Sequence, residues 1–335
     1  MNLKLRNLRI AVEKDNNEEY IKAASLILEI GPENIKLLKT LNKSLDARDK
    51  TQFYYEIAIA VSVPDTFANK DNLMPYNEYK IEPREQIKLA DRPIIIGFGP
   101  AGIFAALELI DHGIKPIIFE RGKKIEERAI DVNKFIKEGT LNPESNIQFG
   151  EGGAGSFSDG KLFSRLRNSD YLRKVLYTFI KFGAPDEISY LHKPHLGTDV
   201  LCKVVHNMRE YILSNGGEIH YNSRMTDMII DDDKISGIVI NGEKEYRSSL
   251  VYLAIGHSAR DTFEMIYKKG VKIEQKAIAV GVRLEHPAET INFIRYGHKY
   301  KNVAALGAAA YSFNYTDKKI ERGAYTFCMC PGGEI

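Results

Sequence analysis

The sequence predicts an α/β protein that carries a small α+β unit at its N-terminus. From Arg92 onward, strand-like and helix-like segments alternate, as they do in proteins built on a parallel sheet. A G-x-G-x-x-G motif at residues 97–102 stands where the first of these strands meets the first helix. Residues 1–85 instead follow the order β-α-β-β, which is typical of a ferredoxin-like sandwich.

Composition and charge exclude several classes of protein. The chain has 335 residues, of which 44% are hydrophobic and 27% charged, and this is typical of a soluble globular protein with two or three domains. The net charge of +2 gives no reason to expect a nucleic-acid partner. No apolar run is long enough for a membrane span, and no secretory leader is recognisable. With only three cysteines, the expected protein is cytoplasmic and its thiols are reduced.

The predicted elements follow the chain in order. The N-terminal unit is expected to end at residue 85, with a polar linker that runs to residue 91. The next elements are a strand "PIIIGF", a helix "PAGIFAALELIDHG" and a strand "KPIIFE". Helices are expected at 170–182 and 198–214, and "SSLVYLAIG" is predicted to be a buried strand. Residues 262–327 are expected to mix short strands with loops.

The first glycine motif, residues 97–102, has the composition of a nucleotide clamp. Gly97 suits a tight turn, Gly99 lets a pyrophosphate approach the backbone, and Gly102 allows close packing of helix on strand. Pro100 and Ala101 open the helix, whose free N–H groups and positive dipole end would face the phosphates. The alternative is a buried strand–turn–helix that binds no ligand.

An acidic residue stands where such a clamp needs one. Glu120 ends the second strand, close to the expected offset of about 20 residues for a carboxylate that binds an adenosine ribose. Arg121 follows it directly and is a second candidate for cofactor contact. Arg128, eight residues after Glu120, is predicted to reach the phosphates of the cofactor, with a solvated helix face as the alternative.

A second glycine-rich stretch distinguishes FAD from NAD. The second glycine loop, residues 150–160, contains five glycines, and a simple NAD dehydrogenase has no need of it. A flavoprotein must also hold a ribityl chain and a flavin ring, and glycine permits the close backbone approach that this requires. The alternative is a flexible surface loop. The predicted cofactor contacts in and beyond this loop are Gly153, Ala154, Gly155, Ser158, Lys161 and the strand-end Gly256.

Longer motifs resemble one known family. The segments "GEGGAGSFSDGKL", "PHLGTD", "LAIGHSARDTFEM", "AVGVRLEHP" and "YTFCMCPGG" resemble the bacterial FAD-dependent dehydrogenases known as NAD(FAD)-utilising dehydrogenases. The resemblance covers nearly the whole chain. It implies a ferredoxin-like N-terminal domain joined to a glutathione-reductase-like FAD domain, with a mostly β substrate domain inserted in it.

The resemblance also implies domain boundaries. The first part of the FAD domain would comprise residues 92–261, and the inserted substrate domain would comprise residues 262–327. The chain would return to the FAD domain at residues 328–335. Members of the family continue well past the "CPGGEI" of this chain. We therefore expect a chain truncated at its C-terminus, without the last strand and helix of the FAD domain.

Few residues are candidates for chemistry beside a flavin. Cys328 and Cys330 could exchange electrons as thiolates, and His257 could donate a hydrogen bond to the ring. Two buried apolar cysteines and a capping histidine are the alternatives. The sequence predicts no metal site. After residue 122 the pattern G-x-G-x-x-G recurs only within the second glycine loop, at residues 150–155, where no strand–helix junction is predicted, so NAD(P)H as electron donor would dock without a Rossmann domain of its own.

The predicted function is therefore that of an FAD-dependent oxidoreductase. It would transfer hydride or electrons between a donor, with NAD(P)H as the candidate, and an unidentified small organic substrate. The alternatives are a non-catalytic FAD-binding or RNA-associated protein that uses the N-terminal domain for recognition, and an inactive, partly folded fragment. The substrate and the oligomeric state are not given by the sequence.

Overall fold

The computed structural model describes residues 1–69, 72–157, 162, 170–191, 196–326 and 329, and the account below concerns these residues. The described strands are β1 Asn2–Ala11, β2 Lys36–Asp46, β3 Tyr54–Ser62, β4 Ile94–Ile96, β5 Ile117–Phe119, β6 Glu218–His220, β7 Met225–Asp231, β8 Lys234–Ile240, β9 Lys244–Arg247, β10 Val251–Leu253, β11 Asn314–Asp317 and β12 Arg322–Tyr325. The described α-helices are α1 Asn17–Leu28, α2 Pro100–Asp111, α3 Ile125–Glu138, α4 Asp170–Lys181, α5 Thr198–Ser214, α6 Arg260–Lys268 and α7 Ala288–Tyr300.

The chain divides into two compact units. The first comprises Met1–Tyr79, Ser189–Pro194 and Ile278–Ile335, and the second comprises Lys80–Ile188 and His195–Ala277. The mixed α/β character expected from the sequence is confirmed. The finer domain boundaries, at residues 85, 261 and 327, stay predictions.

The first unit is built on an antiparallel sheet of order β1-β3-β2, with α1 packed on it. Leu3 and Leu5 are buried in β1, and so are Leu8 and Ile10, although their spacing breaks strict alternation. A β-bulge between Leu5 and Leu8, with Asn7 at φ 59°, restores the inward orientation of the later pair. The order β-α-β-β predicted for this stretch is the order observed.

The last described part of the chain belongs to this same unit. In α7, Tyr300 is 1% exposed, and its ring stacks on that of Phe53 with centroids 4.1 Å apart. Residues 262–327 were expected to be mostly β, and for their described part this is wrong, because helix residues outnumber the strand residues of the β11–β12 hairpin. Gly297 has φ 72°, a non-helical conformation that interrupts α7. Because glycine has a low helix propensity, it also weakens the helical pattern in the sequence.

The second unit has three layers. Its parallel sheet has the order β10-β4-β5-β6. Ile95 and Ile118 face one side, where α2 and α5 cover them, while Ile94, Ile96 and Phe119 face the meander β7-β8-β9 and α6. Strands buried on both faces read as continuous apolar runs, and this explains the triple isoleucine of β4.

One predicted strand differs from expectation. Strand β10 lies at the edge of the described sheet, where Tyr252 is 43% and Leu253 46% exposed. The prediction of a buried strand is therefore wrong. An apolar run does not reveal whether a strand lies at the centre or the edge of a sheet.

Candidate functional site

A cleft of about 580 Å³ lies at the carboxyl ends of the four parallel strands in the second unit. Ile96, Phe119 and Leu253 line it at the ends of β4, β5 and β10, and Ser223 and Arg224 follow β6. This is the edge at which open α/β sheets bind ligands, and the volume is typical of small-molecule sites.

The first glycine motif forms one wall. Gly97, Gly99, Pro100 and Ala101 line the cleft, and Gly99 is the N-cap of α2. Gly97 has φ 97°, and a Cβ there would lie 2.4 Å from the carbonyl oxygen of Ala254. Gly102 lies behind this wall, because its Cβ would meet the Gly97 oxygen at 1.9 Å. The motif thus allows close packing of strand, turn and helix, as its spacing predicts.

The second glycine loop forms the facing wall. Gly153, Ala154 and Gly155 line the cleft. A Cβ on Gly153, which has φ 63°, would lie 3.1 Å from the Cα of Gly99 and 3.0 Å from Cδ of Pro100. The structure therefore brings the two glycine segments into backbone contact at the start of α2. The predicted contacts Ser158 and Lys161 lie outside the described residues.

Glu120 is buried at the bottom of this arrangement, with 4% of its surface exposed. Its Oε2 accepts a hydrogen bond from the Phe98 N–H at 2.7 Å. Its Oε1 accepts bonds from the N–H groups of Gly122 and Gly150, each at 2.9 Å. A carboxylate has about four acceptor positions, so one remains for a ribose hydroxyl. Glu120 ties both glycine segments together, a role that its position in sequence did not suggest.

Arg121 lines the cleft in a cluster of charged side chains. Its guanidinium donates two bonds to Asp261, each of 3.1 Å, and Nε donates to Glu144 at 3.0 Å. Arg224 donates to Glu144 at 3.0 Å. Burial raises the pKa of Asp261, but hydrogen bonds from Arg121 and from the Thr262 N–H outweigh this effect and leave it lowered. The Nη2 atom of Arg121 also lies 3.0 Å from the Glu144 carboxylate, so both acidic side chains hold this guanidinium.

The structure places Arg128 away from the cleft, which corrects the predicted contact with phosphates. Its side chain is fully buried on α3 and donates to backbone carbonyls of the second glycine loop and the turn before it. Burial lowers the pKa of Arg128 to about 10, so the guanidinium stays charged at neutral pH. A pattern of residue types could not reveal this role, because the partners are carbonyls.

A second buried charge holds the loop from its other side. Glu151 is fully buried and accepts hydrogen bonds from Arg209 at 2.6 Å, from the Ile125 N–H at 2.8 Å and from the Tyr221 hydroxyl at 2.9 Å. Burial raises the pKa of this carboxyl group. The described part of this loop, residues 150–157, is therefore held by buried, hydrogen-bonded charged groups and is not a flexible surface segment.

The remaining predicted residues divide into two groups. Gly256, with φ 69°, and His257 line the cleft after β10, and Nε2 of His257 lies 3.4 Å from the Ser258 hydroxyl. Cys328 and Cys330 lie outside the described residues. Their catalytic role, like that of His257, stays a prediction.

Several lining residues were not predicted. Ser223, Arg224 and Met225 follow β6, and Thr262 and Phe263 come from α6. The rule that ligands bind at the carboxyl ends of parallel strands could have found the first three, once β6 was placed in the sheet. No local pattern points to the α6 residues, because α6 was not predicted.

The arrangement fits an FAD molecule. Side chains at Gly99 or Gly153 would occupy the space where the two segments meet, and both positions are glycine. The N–H groups of Ala101 and Ala154 have no acceptor among the described residues and lie in the cleft wall. N–H donors at a helix start suit a pyrophosphate.

Comparison with known proteins agrees with the sequence motifs. Residues 277–335 match the family model described as "FAD-dependent protein, C-terminal domain-like". A Clostridium beijerinckii protein described as "Uncharacterized protein" is 43% identical over 347 residues, which cover 100% of this chain and 63% of that protein. The chain is thus similar to FAD-dependent proteins over residues 277–335 and to the Clostridium beijerinckii protein over its whole length. It spans less than two thirds of the length of that relative.

Solved structures give only weak likenesses. L-proline dehydrogenase from P. horikoshii has a TM-score of 0.37 and 11% identity, covering 58% of each chain. Thermovibrio ammonificans THI4 has a TM-score of 0.35 and 18% identity, covering 53% of this chain and 62% of that one. L-Amino acid deaminase from Proteus myxofaciens has a TM-score of 0.34 and 15% identity, covering 58% of this chain and 52% of that one. All three TM-scores are below 0.5.

No helix within the described residues has the length and apolarity that a bilayer crossing needs.

Proposed function

We propose that the chain binds FAD in the cleft of its second unit and that it acts as an FAD-dependent oxidoreductase. The observation that carries this proposal is the contact between Gly99 and Gly153 at the start of α2. A dinucleotide needs one backbone segment without bulky side chains at its pyrophosphate. A second such segment suits FAD, which has a ribityl chain and a flavin ring beyond the pyrophosphate.

The roles of the residues follow from their positions. The N-terminus of α2, with Gly99 and Ala101, would face the pyrophosphate. Glu120 has an acceptor position left for a ribose hydroxyl, and Arg121 lines the same cleft. Gly256 and His257 would border the cofactor from the end of β10.

FAD, when bound, supplies hydride and electron transfer, while the protein positions it and sets its electrostatic surroundings. We propose NAD(P)H as the electron donor and a small organic molecule as the substrate. Between residues 122 and 335 the pattern G-x-G-x-x-G recurs only within the second glycine loop, at residues 150–155.

The first experiment is an absorption spectrum of the purified 335-residue chain, with the released cofactor identified by chromatography. Flavin bands and recovery of FAD are expected, and anaerobic NADH or NADPH should bleach these bands. Recovery of NAD without FAD would overturn the assignment of the cofactor. Flavin bands that neither nicotinamide bleaches would overturn the proposed donor.

A matched pair of variants tests whether FAD binds in this cleft. Gly153 and Gly242 both have positive φ, of 63° and 79°, but a Cβ meets backbone and Pro100 only at Gly153. G153A and G242A therefore carry similar backbone strain. FAD affinity should fall at least about tenfold in G153A, the scale of one lost contact to a charged group, and stay unchanged in G242A. Equal loss in both variants would show that the cleft is not the site.

A further inference from the structure

Arg128 makes an unusual set of contacts for a residue that touches no cleft surface. Its Nε donates to the carbonyl of Asn146 at 2.8 Å, and Nη2 donates to that of Ile147 at 2.9 Å. Its Nη1 contacts the carbonyls of Gly150, Glu151 and Gly153, at 3.3, 2.6 and 2.8 Å. One charged group thus sets the direction of five peptide groups.

The glycine at position 150 allows this arrangement. Gly150 has φ 121°, and a Cβ there would lie 2.3 Å from Cδ of Arg128. No L-residue with a side chain adopts this backbone conformation readily, and none would leave room for the arginine. The packing of the Arg128 side chain against the loop therefore depends on glycine at position 150.

The direction of each carbonyl fixes the direction of the following N–H. No peptide bond among the described residues is cis, and in a trans peptide the C=O and N–H groups point in opposite directions. The three N–H groups that follow the carbonyls of Gly150, Glu151 and Gly153 therefore point away from Arg128.

Only one of these three N–H groups is left for a ligand. The Glu151 N–H donates to the Lys123 carbonyl at 3.1 Å, and the Gly152 N–H donates to the Phe98 carbonyl at 2.9 Å. The Ala154 N–H has no acceptor among the described residues. Ala154 lines the cleft, and Gly153, directly before it, contacts the Gly99 N-cap of α2. This N–H therefore lies beside the N-terminus of α2, on the cleft side of the loop.

We infer that Arg128 is a positioning residue that holds the Ala154 N–H toward the cleft, where it donates to a pyrophosphate oxygen of FAD. The inference rests on the proposed function and adds a donor from the second glycine loop to those of α2. Arg128 itself does not contact the cofactor.

The test is a double-mutant cycle on FAD and ADP affinity of the 335-residue chain. A154P removes the N–H at the first position of a short 3-10 helix, where proline is tolerated, and A154G keeps the N–H as the matched control. R128K keeps a positive charge but has no planar fork of donors for several carbonyls. Thermal unfolding of each variant without cofactor measures the structural cost separately.

The expected result has three parts. A154P weakens binding of FAD and ADP about tenfold or more, the scale of one hydrogen bond to a charged group, while A154P leaves adenosine binding unchanged and A154G weakens FAD binding less than A154P does. R128K weakens FAD binding similarly. In the double variant, R128K adds little to A154P, because the group that Arg128 directs is already gone.

Additive effects of R128K and A154P on FAD affinity would overturn the inference, and so would an R128K variant with lower thermal stability but unchanged affinity. Unchanged affinity in A154P would overturn it as well. If the unsubstituted chain binds neither FAD nor ADP, the proposed function fails, and this inference fails with it.

Discussion

Arg121 and Asp261 are joined by two parallel hydrogen bonds, each 3.1 Å long, between the end of β5 and the first turn of α6. The arginine side chain is 13% exposed and lies over the ring of Phe149, at 4.0 Å from its centroid. This pair therefore connects the loop after Glu120 to a helix that is about 140 residues away in sequence.

Removing the charge of Asp261 should destabilise this connection. D261N is expected to lower the free energy of unfolding by about 1 kcal/mol, because the geometry is bidentate but the 46% exposure of Asp261 screens the charge. Denaturant unfolding of the cofactor-free chain measures the change. The control is D227N, whose carboxylate makes a single contact with Lys269 at 2.9 Å. Equal losses in both variants would show that the bidentate pair adds nothing.

Two glycines of the first motif should respond differently to alanine. Gly99 has φ −80° and ψ −172°, which alanine adopts without strain, and its Cβ would lie 3.4 Å from the Cα of Gly153. G99A should fold normally but bind FAD about tenfold more weakly, because the methyl group enters the cleft. G102A should lose at least about 2 kcal/mol of folding stability, since its Cβ would overlap the Gly97 oxygen. Flavin titration and thermal unfolding separate the outcomes, and full FAD affinity in G99A would contradict the proposed site.

Glu120 should matter for folding before any cofactor binds. E120Q replaces one acceptor oxygen by an NH₂ group, although three backbone N–H groups point at this carboxylate. We expect a loss of about 1–3 kcal/mol in the free energy of unfolding without FAD. The control is E264Q, a change at an exposed position of α6. If E120Q left stability unchanged and reduced only FAD affinity, ribose binding alone would be the role of Glu120.

The site could be predicted from sequence where its signal is local. Gly97, Gly99 and Gly102 are recognised because turn, phosphate approach and helix packing impose their spacing. The role of Arg128 was not recognised, because its partners are backbone carbonyls 18 to 25 residues away, and a carbonyl has no signature in sequence. Arg224 was missed for a related reason, since its place in the cleft depends on the pairing of β6 with β5.

The elements of the fold likewise divide into those that local sequence predicts and those that depend on contacts distant in sequence. The elements β4, α2 and β5 follow directly from apolar periodicity and the glycine motif. The position of β10 at the edge and the packing of α7 on the first unit depend on contacts far apart in sequence, such as that of Tyr300 with Phe53. Periodicity reports which face of an element is apolar and does not report what covers it.

The contact between α7 and the N-terminal sheet gives a direct test of the first unit. The Tyr300 hydroxyl accepts a hydrogen bond from the Phe53 N–H at 3.2 Å and donates to Glu13 at 2.7 Å. Y300F leaves the buried N–H without its partner and should cost about 1–2 kcal/mol of unfolding free energy. Y315F, at a position 65% exposed, should cost nothing. Equal stability of Y300F and the parent chain would show that the hydrogen bond between the Tyr300 hydroxyl and the Phe53 N–H does not stabilise the first unit.

The pair of Glu126 with Arg209 should make stability depend on acid pH. Glu126 accepts hydrogen bonds from Arg209 at 2.8 and 3.2 Å, and this contact lowers the pKa of Glu126 from its ordinary 4.5 to about 2. A carboxyl group with a lowered pKa in the folded state stabilises that state above its unfolded pKa. The contribution is full above about pH 4.5 and is lost as the pH falls through about 2.

Replacement of Glu126 by glutamine should therefore have a pH-dependent effect. With 53% of the Glu126 side chain exposed, E126Q should cost less than about 1 kcal/mol at pH 7. The difference from the parent chain should shrink below pH 4.5 and approach zero near pH 2, as measured by denaturant unfolding at pH 7, 5, 4 and 3. E127Q removes a carboxylate from the same exposed turn of α3 without touching Arg209 and corrects for the helix dipole. A penalty for E126Q that stays constant from pH 7 to pH 3 would show that the ion pair with Arg209 does not set the pKa of Glu126.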